Sequence, residues 1–111
     1  MVDLTFLKQF TKGDSQKMKR YVSLYLDMLP KTFAEMKSNL KNADWEQLRI
    51  NAHSLKPQAD FMGINSLKEH LIKIEEAVEI KNFDVLENLF IRSVKIAADS
   101  EIILNKILEE L

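Results

Sequence analysis

Apolar residues recur along this chain at alternating steps of three and four, the spacing that keeps side chains on one face of an α-helix. Four such seams follow one another. The first runs Met18, Val22, Tyr25, Leu29, Phe33, Met36 and Leu40, with Leu26 widening the face. Its phase continues straight across Pro30. A proline inside a helix removes one hydrogen bond and bends the rod without resetting the side-chain pattern, so the spacing predicts one kinked helix from Asp14 or Ser15 to about Leu40. A break at Leu29-Pro30 with a fresh start at Lys31 is the other reading.

The second seam, Trp45, Leu48, Ala52, Leu55, Ala59 and Met62, follows the turn Lys41-Asn42-Ala43-Asp44, with Asp44 or Asn42 as cap. Gly63 supplies the left-handed stop. The third seam is Leu67, Leu71, Ile74 and Val78, starting at Asn65 or Ser66 and closing near Lys81-Asn82. Phe83-Asp84 opens the last helix, seamed by Leu86, Phe90, Val94, Ala97, Leu104, Ile107 with Leu108, and Leu111. Asp99-Ser100-Glu101 interrupts that face and reads as fraying or a packing edge. Ahead of all four, Asp3 to Phe10 forms a short helix that Asp3 can cap and Gly13 can stop. Leu4, Leu7 and Phe10 are available to lie on a larger core.

The connection at Gly63 is short enough to force its flanking helices antiparallel. The expectation is an all-α fold: an antiparallel, up-and-down four-helix bundle with a short extra N-terminal helix, a single domain over residues 1–111. Composition agrees with it. Apolar residues are 46% of the 111, and only two Gly and two Pro are present, few for the turns of a sheet. The 16 basic and 17 acidic side chains are mixed along the chain, with no basic block. Nucleic acid and direct membrane binding are therefore not expected partners. No cysteine is present, which excludes disulfides and thiolate chemistry. No apolar run approaches a membrane span, and no basic segment followed by an apolar core marks an export signal, so a cytoplasmic address is expected.

Chemistry narrows by exclusion. The two glycines stand alone at helix ends, so no phosphate-cradling loop exists and ATP binding is not expected. A di-metal bundle would want Glu-x-x-His pairs, but Ile50 precedes His53 by three and Leu67 precedes His70 by three. No metal or other cofactor is expected on this chain, and His70 is given no role. No G-x-S-x-G elbow is present. What remains is His53, which the helical phase turns away from its own seam. A surface histidine on a solvated face is the plain account of it. As a nucleophile, a neutral imidazole offers one exposed lone pair, and an exposed imidazole of ordinary pKa, about 6.5, is mostly neutral at pH 7.

Three neighbours bear on that chemistry. Lys56, three residues on, is a surface neighbour that could steady phosphoryl oxygens; otherwise it is a solubilising lysine. Glu75 follows buried Ile74, and folding the chain back at Gly63 brings it level with His53, where a carboxylate could fix the ring tautomer. It reads equally as a solvated glutamate. Pro57 lacks the N–H that would bond the His53 carbonyl, and its compact ring leaves room beside the imidazole. Ile50, Ser54, Pro57 and Phe61 form a second stripe, part of which can dock a partner, with Asp60 beside it. The same stripe could pack under the preceding helix.

The run Ala52-His53-Ser54-Leu55-Lys56, with Gly63 ten residues after the histidine and then Leu67 and Glu75, resembles the signature of histidine-containing phosphotransfer (HPt) domains of bacterial two-component phosphorelays. Asp44-Trp45 and Leu29-Pro30 extend the likeness over nearly the whole chain. The resemblance implies that His53 accepts a phosphoryl group from the aspartyl phosphate of one receiver domain and passes it to the aspartate of another. Response-regulator receivers or a hybrid sensor kinase are then the partners. Magnesium belongs to the receiver, and the chain is expected to act as a monomeric phosphocarrier, not a kinase. Pro57 departs from the pattern, which has glycine there for clearance of the receiver, and this bears on the approach angle. The reading from a different class is a non-catalytic helical interaction domain with an incidental surface histidine.

Overall fold

The structure, a computed structural model, describes residues 1–111. It is all-helical, with five helices packed together: α1 Thr5–Thr11, α2 Ser15–Lys41, α3 Trp45–Phe61, α4 Asn65–Glu79 and α5 Leu86–Glu110. A single 3₁₀ turn, Phe83–Val85, leads into α5, so the last helix opens three residues after the Phe83 expected from sequence. Helix α2 packs on α3 and α5, α3 on α4, and α4 on α5, while α1 lies against α2. The molecule measures 43 × 20 × 19 Å. No helix is long and apolar enough to cross a membrane.

The side chains of Asp14 and Asp44 cap α2 and α3, accepting from the Lys17 N–H at 3.1 Å and the Gln47 N–H at 3.3 Å. Helix α2 runs unbroken through Pro30, and the break at Leu29-Pro30 does not occur. The cap of α1 is Leu4, not Asp3. Asp3 stands one residue earlier and accepts from the Thr5 N–H and hydroxyl at 3.0 and 2.6 Å. Helix α4 ends at Glu79, two residues short of the Lys81 expected from its pattern.

The core holds the expected faces of α3 and α4: Leu48, Ala52, Leu55, Ala59 and Met62, and Leu67, Leu71, Ile74 and Val78. Trp45 is only half-buried and stacks on Phe83, with ring centroids 4.6 Å apart. Two faces are corrected. In α5 the buried positions are Leu86, Phe90, Ser93, Ala97, Ser100 and Leu104; Val94 is exposed, and Ser100 marks neither fraying nor an edge. The hydroxyls of Ser93 and Ser100 donate to the carbonyls of Leu89 and Ile96, both at 2.8 Å, so each serine packs as a small residue with its polar atom satisfied. In α1, Phe10 lies outside the core and Thr11 inside it, its hydroxyl bonded to the Leu7 carbonyl at 2.8 Å by the same device.

The α3–α4 turn positions the site. The Gly63 N–H donates to the Asp60 carbonyl and the Ile64 N–H to the Ala59 carbonyl, both at 3.0 Å, closing a Schellman cap. Gly63 sits at φ +66°, and its carbonyl accepts from the Asp3 N–H at 3.1 Å. A Cβ at this position would collide with the Asp3 backbone. Glycine is thus required twice over, for the turn and for the N-terminal segment that crosses it.

Candidate functional site

The face of α3 that carries His53 is turned from the core by the same periodicity that buries Ala52 and Leu55 on either side of it. The His53 side chain is 65% exposed. One atom of the ring is held. Nδ1 lies 3.1 Å from Oε2 of Glu75, which reaches across from α4. The other oxygen of that carboxylate, Oε1, lies 2.9 Å from Lys56 Nζ. His53 and Lys56 are one turn apart on α3, and Glu75 bridges them. The Lys56–Glu75 contact pairs charges by proximity but is angled off the hydrogen-bond direction.

Glu75 is the buried member, with 11% of its side chain exposed. Burial pushes its carboxyl up, and the close contacts from Lys56 and His53 more than reverse this, leaving it below the ordinary 4.5. An ionised carboxylate can only accept, so Nδ1 is the protonated nitrogen and Nε2 keeps its lone pair. Lys56 balances the Glu75 charge. The arrangement therefore presents an imidazole anchored at Nδ1, with Nε2 pointing away from its anchor.

The other residues expected here fall around this centre. Pro57 is exposed one turn from His53 toward the Gly63 end. Ile50 is exposed one turn the other way. Asp60 is tied to Lys68 of α4 at 3.0 Å. Phe61 is half-buried and does not pack under α2 alone; it stands in an aromatic cluster with Phe6, Phe10 and Tyr21. Its ring centroid is 5.2 Å from Phe6, 5.3 Å from Phe10 and 5.6 Å from Tyr21, all edge-on. Phe6, Pro57, Asp60 and Phe61 line a recess of about 290 Å³ beside His53. The sequence signal for Phe6 and Phe10 was their spacing of four on α1, off the Leu4–Leu7 face. His70 is elsewhere, its Nδ1 bonded to the Ser66 carbonyl at 2.8 Å. No three His, Asp or Glu side chains are gathered as metal ligands would be.

A model of the Hpt domain family matches residues 20–111. The chain belongs to the Hpt domain family. Histidine phosphotransfer in phosphorelays is the activity of that family, and receiver domains and kinases are its partners. No curated protein and no solved structure matches the chain. Within the Hpt match lie α3, α4 and α5 whole, and α2 from Arg20 onward; α1 lies outside it.

Proposed function

We propose that this chain is a phosphorelay intermediate that takes a phosphoryl group from the aspartyl phosphate of one receiver domain and delivers it to the aspartate of another. The observation that carries this reading is the anchored yet open ring: Nδ1 is 3.1 Å from a buried carboxylate while the side chain stays 65% exposed. In the forward step the Nε2 lone pair attacks phosphorus, an N–P bond forms, and the P–O bond to the aspartate breaks. The electron pair leaves on the aspartate as carboxylate. The ring keeps its Nδ1 proton and carries positive charge, which Glu75 Oε2 stabilises. In the return step a receiver carboxylate attacks phosphorus, the N–P bond breaks, and His53 is neutral again.

Lys56 is the cation for the phosphoryl oxygens on this reading, and in the resting protein the same group neutralises Glu75. Pro57 and Ile50 flank the histidine as docking residues, with Asp60 and Phe61 at one end. The chain needs no cofactor of its own, magnesium belonging to the receiver. It acts as a cytoplasmic monomer without ATP. The packing order of α2 to α5 and the short turns support an antiparallel, up-and-down four-helix bundle as the scaffold.

The test is transfer of label from phosphorylated receiver domains. The wild-type protein should gain an acid-labile, base-stable adduct within minutes, and His53→Gln should gain none. Label persisting on His53→Gln would remove His53 as the acceptor. A docking protein with an incidental histidine would bind its partner equally well in both forms and take label in neither.

A further inference from the structure

The short helix α1 lies outside the Hpt match, yet it places two phenylalanines next to the phosphotransfer face. Phe6 and Phe10 are 54% and 56% exposed, an unusual state for two large apolar rings on one turn of a seven-residue helix. They are not loose. Each meets Phe61 edge-on, and Phe10 also meets Tyr21 at 5.7 Å. Phe6 then shares a recess with Pro57, one turn from His53.

What sets this arrangement is the far end of the same segment. Gly63, at φ +66°, accepts from the Asp3 N–H at 3.1 Å, and the Asp3 backbone occupies the space a side chain at 63 would need. Leu4 and Leu7, next along, are buried. The turn that ends α3 is therefore also the seat of the segment that carries Phe6 and Phe10.

We infer that Phe6 and Phe10 extend the docking surface for the receiver domain that exchanges a phosphoryl group with His53, and that Gly63 is the positioning residue that holds α1 in place for it. The inference rests on the phosphotransfer reading. The occupant follows from continuity: a protein that brings an aspartyl phosphate in line with Nε2 must overlie Pro57, and the recess beside Pro57 is walled by Phe6. Phe6 then adds apolar contact at the Pro57 edge of that surface, and Phe10, packed against Phe6 and Phe61, continues the same apolar face. Their effect falls on recognition, and the chemical step is left to His53, Glu75 and Lys56.

Transfer kinetics from a phosphorylated receiver separate these roles. Phe6→Ala with Phe10→Ala, at two exposed positions, should raise KM for the receiver about tenfold and leave kcat within about twofold. Gly63→Ala, which displaces Asp3, should raise KM in the same direction with kcat retained. A substitution that only reduces the folded fraction would lower kcat and leave KM unchanged. Unchanged KM in the double phenylalanine variant, with the wild type active, overturns the inference alone. A wild-type protein that takes label from no receiver of its source proteome overturns the phosphotransfer reading first. If Gly63→Ala fails to fold, the double variant decides the docking surface. Amide exchange at Phe10, compared between Asp3→Pro, which deletes the N–H bonded to Gly63, and Asp3→Ala, which keeps it, then decides the seat: faster exchange in the proline variant alone supports it, and equal exchange in the two removes Gly63 from the inference.

Discussion

A single carboxylate does two jobs in this protein, and its position explains both. Glu75 accepts from His53 with one oxygen and faces Lys56 with the other, from a nearly sealed site. Its carboxyl is held below the ordinary 4.5 because those contacts outweigh the cost of burial. A carboxylate depressed in the folded state adds stability above its unfolded pKa, and that stability is lost as pH falls through the folded value. Glu75→Gln should therefore be less stable than wild type at pH 7, and urea midpoints should show the gap closing as pH falls below about 4.5. A gap independent of pH would mean that the carboxylate's charge contributes nothing. His53 and Lys56 were legible in sequence because helical phase alone fixes their relation. Glu75 was legible only by folding the chain at Gly63, and its pairing with Lys56 not at all, since that depends on side-chain reach between two helices. Tyr25 is the opposite case. It sits where the seam of α2 puts it, buried, with a hydroxyl that has no partner and a pKa pushed up chiefly by burial and further by Glu101. Removing an unsatisfied buried hydroxyl relieves its desolvation, so Tyr25→Phe should stabilise the fold by about 1 kcal/mol in urea melts.

At the scale of elements, the same cap closes α1, α2, α3 and α4, and in α2 and α4 no glycine announces it. Gly63 closes α3 in the left-handed conformation, and a glycine after a periodic run is a readable stop. Helices α2 and α4 end the same way, with Ala43 at φ +53° and Lys81 at φ +59°. The Asp44 N–H reaches back to the Asn39 carbonyl, and the Asn82 N–H to that of Ala77, both at 2.8 Å. Neither residue type signals the geometry, so the closing point of α4 was expected two residues late. An L-residue in this region costs roughly 1–2 kcal/mol, of which glycine gives back part to the freedom of the unfolded chain. Ala43→Gly should thus stabilise the protein by ~0.5–1 kcal/mol, raising Tm by about 3–6 °C, with Lys81→Gly similar. Scanning calorimetry of the two variants checks it; a lowered Tm in both would show that the turns gain from something beyond φ. The serines of α5 teach the complementary lesson. Ser93 and Ser100 are buried because each bonds its own helix, and a hydropathy pattern counts them as polar.

For the molecule as a whole, chemistry and a second apolar feature occupy different helices. The reacting groups come from α3 and α4, while α2 and α5 enclose a groove of about 570 Å³ lined by Leu29, Phe33, Phe90, Ile91, Val94 and Ala97 among others. Adjacent pairs of helices were predictable from the short turns, but this groove was not, because Val94 was assigned to the core and Ser93 overlooked. The separation has a measurable consequence. Ile91 is 57% exposed at the groove, so Ile91→Lys should change stability by less than about 0.5 kcal/mol and leave receiver-driven labelling of His53 within about twofold. Phe90 is its buried neighbour, meeting Phe33 edge-on at 5.9 Å. Phe90→Ala should cost about 3–5 kcal/mol, lowering the urea midpoint sharply while the molecules that stay folded still transfer at the wild-type rate. Both variants leave the His53–Glu75–Lys56 contacts alone. If Ile91→Lys slowed labelling well beyond that twofold range, the groove would have to reach the phosphotransfer face, through the packing of α5 on α4 or through contact with the receiver itself.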